Sequence, residues 1–175
     1  MKILGIESSC DDTCASVVQD GYNVMSNIIS SQIKDHEQYG GVFPELASRK
    51  HLININYVVD EALNKAGINY DDIDAVAVTN ENGLIGGLFV GLSTAKSIAY
   101  SLNVPLISIN HFEAHIYTNF LVHRDVILPH ICLTVSGGHT FIFYVKDIGK
   151  YTLMGKTLDD ACGEAFDKVD RKSVV

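Results

Sequence analysis

The stretch "KILGIESSCDDTCASVVQDGYNVMSNIIS", residues 2–30, predicts three consecutive β-strands at the start of the chain. Its runs of β-branched and small apolar residues are interrupted by a polar turn, residues 8–12, and by Gly21. Short connections of this kind join antiparallel neighbours, so the stretch indicates a three-stranded meander. The predicted strands are Lys2–Glu7, Thr13–Gln19 and Tyr22–Ser30.

A different pattern follows the meander. From Pro44 to Ala66 the apolar residues recur at three- and four-residue steps, with proline at the start and Gly67 after the end, which predicts a long amphipathic helix. Strands and helices then alternate, so the predicted order is β-β-β-α-β-α-β-α. The later elements are a strand over Asp74–Thr79, a helix over Gly86–Leu102, a strand over Leu106–Ile109 and a helix that begins at Asn110.

After residue 128 the order of elements begins again. Three further strands and a helix are predicted over Ile131–Val135, Thr140–Lys146, Tyr151–Lys156 and Leu158–Lys168. A repeated order of this kind is typical of the ribonuclease-H-like, actin-like α/β fold of sugar kinases, actin and Hsp70 chaperones, in which a nucleotide binds between two lobes. We therefore predict one complete lobe, residues 1–124, and the truncated start of a second lobe, residues 129–175.

Composition limits the class of protein. The chain has 175 residues, of which 47% are apolar, and this supports a hydrophobic core. Its net charge of -8 disfavours nucleic-acid binding without another protein. The apolar runs are shorter than the roughly 18 residues that span a bilayer, and the N-terminus lacks signal-peptide features. Four cysteines without a C-x-x-C pair are expected to stay thiols, so we predict a cytoplasmic protein with no membrane partner.

Two predicted hairpin turns carry chemistry suited to an anion. "ESSCDDT" provides a possible phosphate turn through the hydroxyls of Ser8 and Ser9, and "VSGGHT" combines Ser136 with two glycines. Backbone N–H groups can approach an anion closely where no Cβ intervenes. Each stretch alone is also consistent with an ordinary hairpin turn.

The stretch "NHFEAH", residues 110–115, places His111 and His115 four residues apart. In a helix they lie about 40° apart on one face, so both imidazoles can reach one cation. A zinc peptidase of the H-E-x-x-H type needs its glutamate where Phe112 stands, and Glu113 points away from the pair. The spacing therefore disfavours a metallopeptidase and leaves a metal site for iron(II) or zinc, or two ordinary histidines.

Six motifs, taken together, are similar to those of one known family. The chain resembles the tRNA threonylcarbamoyladenosine transferases, formerly described as O-sialoglycoprotein endopeptidases, from residue 3 to about residue 169. The motifs are "IESSCDDT", "GGVFPELASRKH", "GLIGGLFVGLSTAKSIA", "INHFEAH", "LTVSGGHT" and "TLDDACGEAFDKV".

The resemblance implies an activity and a set of site residues. Family members transfer the threonylcarbamoyl group from threonylcarbamoyl-adenylate to N6 of the adenosine adjacent to the anticodon in tRNA. The implied cofactors are one iron(II) or zinc ion per subunit, and threonylcarbamoyl-adenylate, ATP or AMP between the lobes. Asp11 and Asp12 are candidate catalytic residues that orient the adenylate or a metal-bound water, or else belong to a solvated turn. By resemblance, the metal ligands are His111 and His115, and the nucleotide contacts are Thr134, Val135, Ser136, Gly137, Gly138 and Asp167.

The resemblance also implies partners and shows two departures. Family members act on tRNA within a complex that contains a paralogous subunit of the same fold and an ATPase subunit. Here Glu81 and Asn82 replace a Gly-Pro pair of the family, and the chain stops near half the family's length, before a third metal ligand. We therefore expect a truncated member that is inactive in transfer alone and forms a homo-oligomer. The alternatives are a catalytically incompetent dimerisation module of the same family and, less favoured, a metallopeptidase.

Overall fold

The computed structural model describes residues 1–123 and 125–173. The chain forms two compact units, Met1–His111 and Phe112–Val175. The described strands are β1 Lys2–Glu7, β2 Asp12–Gln19, β3 Asn23–Ser31, β4 Ala75–Glu81, β5 Leu106–Asn110, β6 His130–Val135, β7 Thr140–Asp147 and β8 Lys150–Lys156. The described helices are α1 Ile33–His36, α2 Pro44–Ala66, α3 Ile85–Leu102, α4 His111–Val122 and α5 Cys162–Ser173, with 3-10 turns at Glu37–Tyr39 and Tyr70–Asp72.

The sheet of the first unit has the strand order β3-β2-β1-β4-β5. β1 pairs antiparallel with β2, and β2 pairs antiparallel with β3, so the predicted meander is present. β1 also pairs in parallel with β4, which in turn pairs in parallel with β5. The carboxyl ends of β1, β4 and β5 therefore lie along one edge, where Glu7, Glu81 and Asn110 end their strands.

The core of the first unit lies where α2 and α3 pack on this sheet and on each other. The alternation of β1 buries Leu4 and Ile6, and the three- and four-residue steps of α2 bury one stripe of that helix. α2 ends where Gly67 adopts a left-handed φ of 68°, and its N–H bonds back to the helix. In the part of the chain that the structure describes, no helix is both long and apolar enough to cross a membrane.

The second unit contains a three-stranded antiparallel sheet in the order β6-β7-β8. Ile116 of α4 packs with Cys132 and Val145 in its small core. The predicted start of the last helix at Leu158 is wrong, because α5 begins at Cys162. Residues 157–161 instead form a turn in which the Thr157 hydroxyl donates to the Asp160 carbonyl at 2.7 Å.

Candidate functional site

The turn between β1 and β2 is packed tightly against the start of α3. Ser8 and Ser9 are only 1% and 2% exposed. The Ser8 hydroxyl donates to the Gly87 carbonyl at 2.8 Å, and the Ser9 carbonyl accepts the Leu84 N–H at 2.7 Å. A Cβ added to Gly83 would lie 2.5 Å from the Ser9 carbonyl oxygen, so this close approach requires glycine. The hydroxyl of Ser8 is therefore engaged inside the first unit.

The hydroxyl of Ser9, in contrast, contacts His111. Its Oγ lies 3.2 Å from His111 Nδ1, and the Glu7 Oε2 atom lies 3.4 Å from the same nitrogen. Glu7 also accepts the Ser9 N–H. Burial raises the pKa of the Glu7 carboxyl, but hydrogen bonds from His111, Ser9 and Thr79 outweigh it and lower the pKa to about 2. Glu7 is therefore a carboxylate at neutral pH, held between a turn and a histidine.

Asp11 and Asp12 differ in their surroundings, although both are partly buried. The Asp11 carbonyl accepts the Gln32 N–H at 3.0 Å, which ties the turn to the segment after β3. Asp12 Oδ1 is a buried oxygen with no hydrogen-bond partner. A buried carboxylate oxygen of this kind calls for a donor or a cation, because desolvation without a partner is costly. The neighbouring residue Cys10 is exposed, and partial desolvation of its thiol together with the charges of Asp11 and Asp12 raises its pKa to about 12.

Next to this turn, several buried polar side chains form hydrogen bonds that the sequence patterns did not predict. His51 is fully buried on α2, where its Nδ1 lies 2.8 Å from Thr13 Oγ1 and its Nε2 lies 3.0 Å from the Cys10 carbonyl. Gln32 links His51 to His36 through contacts of 3.4 Å and 3.1 Å. These contacts join the segment after β3 to the β1–β2 turn. His51 falls within the apolar stripe of α2, and nothing in the sequence pattern indicates that it makes these contacts.

The two candidate metal ligands both lie in α4. His111 begins the helix and His115 follows four residues later, so the one-turn spacing expected from the sequence is kept. His115 and Glu113 are exposed, and His111 is partly buried. Among the side chains that the structure describes, no group of three or more from His, Cys, Asp and Glu is arranged to hold a metal ion.

In the second unit, the predicted nucleotide loop forms the turn between β6 and β7. Thr134 is buried and Val135 exposed, as their alternation along β6 requires. The Ser136 N–H donates to the His139 carbonyl at 2.8 Å and closes the turn. A Cβ added to Gly137 or Gly138 meets no other atom within 4 Å, so the packing of the chain itself does not demand glycine at these positions.

The start of α5 packs against the same turn. A Cβ added to Gly163 would lie 2.6 Å from the Ser136 carbonyl oxygen, and the Gly163 N–H donates to that oxygen at 3.2 Å. The Cys162 N–H donates to the Thr140 hydroxyl at 2.8 Å. The side chain of Asp167 lies outside the described residues, so its predicted nucleotide contact stays a prediction.

The turn after β4 has a backbone that the family's Gly-Pro pair cannot adopt. Asn82 has a φ of 63°, whereas proline is held near -65°. Asparagine tolerates this left-handed conformation better than most residues. Glu81 accepts a hydrogen bond of 2.9 Å from the Asn110 side chain, next to His111. The substitutions therefore change the shape of this turn and connect it to the residue before α4.

Sequence comparison agrees with the six motifs. The model of the TsaD family, described as tRNA N6-adenosine threonylcarbamoyltransferase, matches residues 23–174. The chain belongs to the TsaD family. A relative of that name from Clostridium perfringens is 60% identical over 169 residues, which are 97% of this chain and 50% of the relative. One from Clostridioides difficile is 58% identical over 168 residues, covering 96% of this chain and 50% of the relative. This TsaD-family chain thus spans about half the length of the curated relatives that it matches.

Solved structures show where the fold belongs. YeaZ from Pseudomonas aeruginosa matches with a TM-score of 0.59 at 13% identity, covering 89% of this chain and 65% of that one. The ethanolamine utilization protein EutJ from Carboxydothermus hydrogenoformans matches with a TM-score of 0.57 at 15% identity, covering 99% of this chain and 57% of that one. The ROK hexokinase from Thermus thermophilus matches with a TM-score of 0.51 at 17% identity, covering 88% of this chain and 48% of that one. These likenesses confirm the predicted ribonuclease-H-like, actin-like fold class of this TsaD-family chain.

Proposed function

We propose that the chain serves in transfer of the threonylcarbamoyl group from threonylcarbamoyl-adenylate to N6 of the adenosine adjacent to the anticodon in tRNA. Membership of the TsaD family is the observation that carries this proposal. The two turns support it, because one places an unpartnered carboxylate oxygen on Asp12 and the other exposes two consecutive glycines. The peptidase alternative gains no support, since Glu113 follows Phe112 on α4 and is not adjacent to either histidine in the H-E-x-x-H manner.

The reaction demands little covalent chemistry from the protein. The N6 amine attacks the carbonyl carbon of the mixed anhydride, a C–N bond forms, and the C–O bond to phosphate breaks with release of AMP. In this proposal the backbone N–H groups of Gly137 and Gly138 hold the phosphate, as glycine-lined turns do for other anions. The proton that leaves N6 passes to water, since Asp12 Oδ1 is buried and cannot reach a substrate amine.

The donor chemistry of α4 fits a borderline metal ion, iron(II) or zinc, at one per chain. His111 and His115 would hold it, with His111 binding through Nε2 because Glu7 and Ser9 occupy its Nδ1. When bound, the ion would supply positive charge for the oxygens of the adenylate. Two protein nitrogens leave coordination positions to water, so we expect the chain alone to bind such a metal weakly.

A chimaera tests the proposed function. The matching 169-residue stretch of the Clostridium perfringens relative is replaced by this chain, and incorporation of labelled threonine into tRNA is measured with the components that the relative requires. The chimaera is expected to modify tRNA, the chain alone is expected not to, and His111→Ala or His115→Ala in the chimaera should abolish the activity. His123→Ala, an exposed histidine outside the site, is the matched control. A folded chimaera without activity, or one that tolerates both histidine substitutions, would refute the proposal.

The proposed partners follow from the proposed reaction. With a net charge of -8, the chain is expected to reach tRNA in a cytoplasmic complex with a paralogous subunit and an ATPase subunit. Alone, it is expected to form a homo-oligomer, because the exposed face of β6 presents Ile131, Leu133 and Val135. Light scattering at micromolar concentration should give a mass above 19.1 kDa, and a clean mass at that value would contradict self-association.

A further inference from the structure

Glu7 ends β1 in the same motif as the candidate phosphate turn, and it contacts Ser9 of that turn. Its carboxylate is oriented by two neighbours, since one oxygen accepts the Ser9 N–H and Thr79 also hydrogen-bonds to it. Its Oε2 atom lies 3.4 Å from Nδ1 of His111, a residue 104 positions away in sequence. About 30% of the Glu7 side chain and 25% of the His111 side chain are exposed, so both are partly shielded from water.

A carboxylate in this position selects one form of the imidazole. It accepts a hydrogen bond from Nδ1–H, which places the ring proton on Nδ1 and the lone pair on Nε2. Histidines that bind metals usually donate their second N–H to a carboxylate or a carbonyl, which sets the ring orientation and raises the basicity of the ligating nitrogen. The Ser9 hydroxyl, at 3.2 Å from the same nitrogen, restricts the ring further.

We propose that Glu7 is a positioning residue that orients His111 as a metal ligand and strengthens its Nε2 as a donor, without itself binding the metal. This inference rests on the proposed metal role of His111 and His115. It predicts that the affinity of the chain for a metal depends on a glutamate at the end of β1, far from the histidine motif in sequence.

The test is metal titration of the full chain. Zn²⁺ affinity is measured by competition with a chromophoric chelator, and Co²⁺ provides a spectrum that reports the ligand set. Glu7→Gln is expected to weaken Zn²⁺ binding by about 10- to 100-fold and to leave the positions of the Co²⁺ bands unchanged. Glu81→Gln is the matched control, because it removes the same charge from a residue bonded to Asn110, the neighbour of His111. The control is expected to keep the affinity within about twofold, since Glu81 is exposed and an exposed charge contributes little.

A second variant separates geometry from charge. Glu7→Asp keeps the negative charge but is one methylene shorter, so it should also lose affinity, and it decides the matter if Glu7→Gln does not fold. Unchanged affinity in both Glu7 variants, or equal losses in Glu7→Gln and Glu81→Gln, would overturn the inference. Shifted Co²⁺ bands in Glu7→Gln would also overturn the inference, because they would show that Glu7 itself binds the metal.

The same titration distinguishes this inference from the proposed function. If His111→Ala abolishes binding while the Glu7 variants bind normally, the positioning role fails and the metal site stands. If the unchanged chain binds neither Zn²⁺ nor Co²⁺, or if His111→Ala and His115→Ala bind as well as it does, the metal site fails and the role of Glu7 fails with it.

Discussion

Replacement of His51 by alanine is expected to destabilise the first unit strongly. The imidazole is fully buried, with Nε2 donating to the Cys10 carbonyl at 3.0 Å and Nδ1 accepting from the Thr13 hydroxyl at 2.8 Å. Gln32 lies 3.4 Å from the same Nδ1. Alanine would leave a cavity and would remove a hydrogen-bond partner from each of these groups.

The magnitude follows from these two losses. Truncation of a large buried side chain to alanine costs about 2–4 kcal/mol through lost packing and the cavity. Each buried polar group left without a partner adds about 1 kcal/mol, although water or a shift of Gln32 can satisfy part of this need. We expect a loss of about 3–5 kcal/mol for His51→Ala. Leu52→Ala, at an adjacent position that is 67% exposed, should change the free energy of unfolding by less than about 0.5 kcal/mol.

Native-state hydrogen exchange is the assay of choice, because a chain of two compact units need not unfold in one step. Exchange of the β1 and β2 amides reports the stability of the first unit. Urea denaturation followed by circular dichroism gives the free energy of unfolding of the whole chain. His51→Gln, which can still donate and accept, should recover part of the loss. The reasoning would be refuted if the free energies of unfolding of His51→Ala and Leu52→Ala differed by less than about 1 kcal/mol. The hydrogen bonds of His51 would then not hold the β1–β2 turn in place.

Three further predictions concern other parts of the first unit. Because the pKa of Glu7 is about 2 in the folded chain and 4.5 ordinarily, its stabilisation is complete above about pH 4.5 and is lost as the pH falls toward 2. Glu7→Gln should therefore flatten acid denaturation in that window, and an unchanged pH dependence would contradict the assigned contacts. Gly67→Ala should cost about 1 kcal/mol in thermal unfolding because φ is 68°, whereas Asn103→Gly, at a φ of 54°, should stay within about 0.5 kcal/mol of the unchanged chain. Burial raises the pKa of Cys14 to about 12, so mass spectrometry should find this thiol labelled by iodoacetamide at pH 8 far more slowly than glutathione, and rapid labelling of the native chain would show that its surroundings are wrongly described.

The elements of this protein could be predicted from local patterns. Alternation over residues 2–30 predicted the meander, and three- and four-residue steps over Pro44–Ala66 predicted α2 with its observed bounds. The one-turn spacing of His111 and His115 also follows from the sequence, because both residues lie in one helix. These features depend on interactions between residues a few positions apart, and such interactions are visible in the order of side chains.

Local patterns failed where a segment has no period of its own. Residues 33–39 form a short helix and a 3-10 turn that no apolar spacing indicated. The last helix was predicted four residues too early, because hydrogen bonds from Thr157 and to Thr140 decide where it begins. A turn held by contacts between separate elements leaves little trace in the residues that form it.

The partners of the candidate site residues depended on the tertiary structure alone. Glu7 meets His111 across 104 residues, and His51 meets the Cys10 carbonyl across 41. Parallel pairing of β1 with β4 and of β4 with β5 gathers the ends of these strands at one edge and brings the end of β1 near the start of α4. The sequence by itself therefore determined which chemical groups are available and which local elements carry them. Only the packing of those elements decided that Ser8 is sealed against Gly87 while Ser9 and Glu7 contact a histidine, because contacts between distant residues follow from the path of the whole chain.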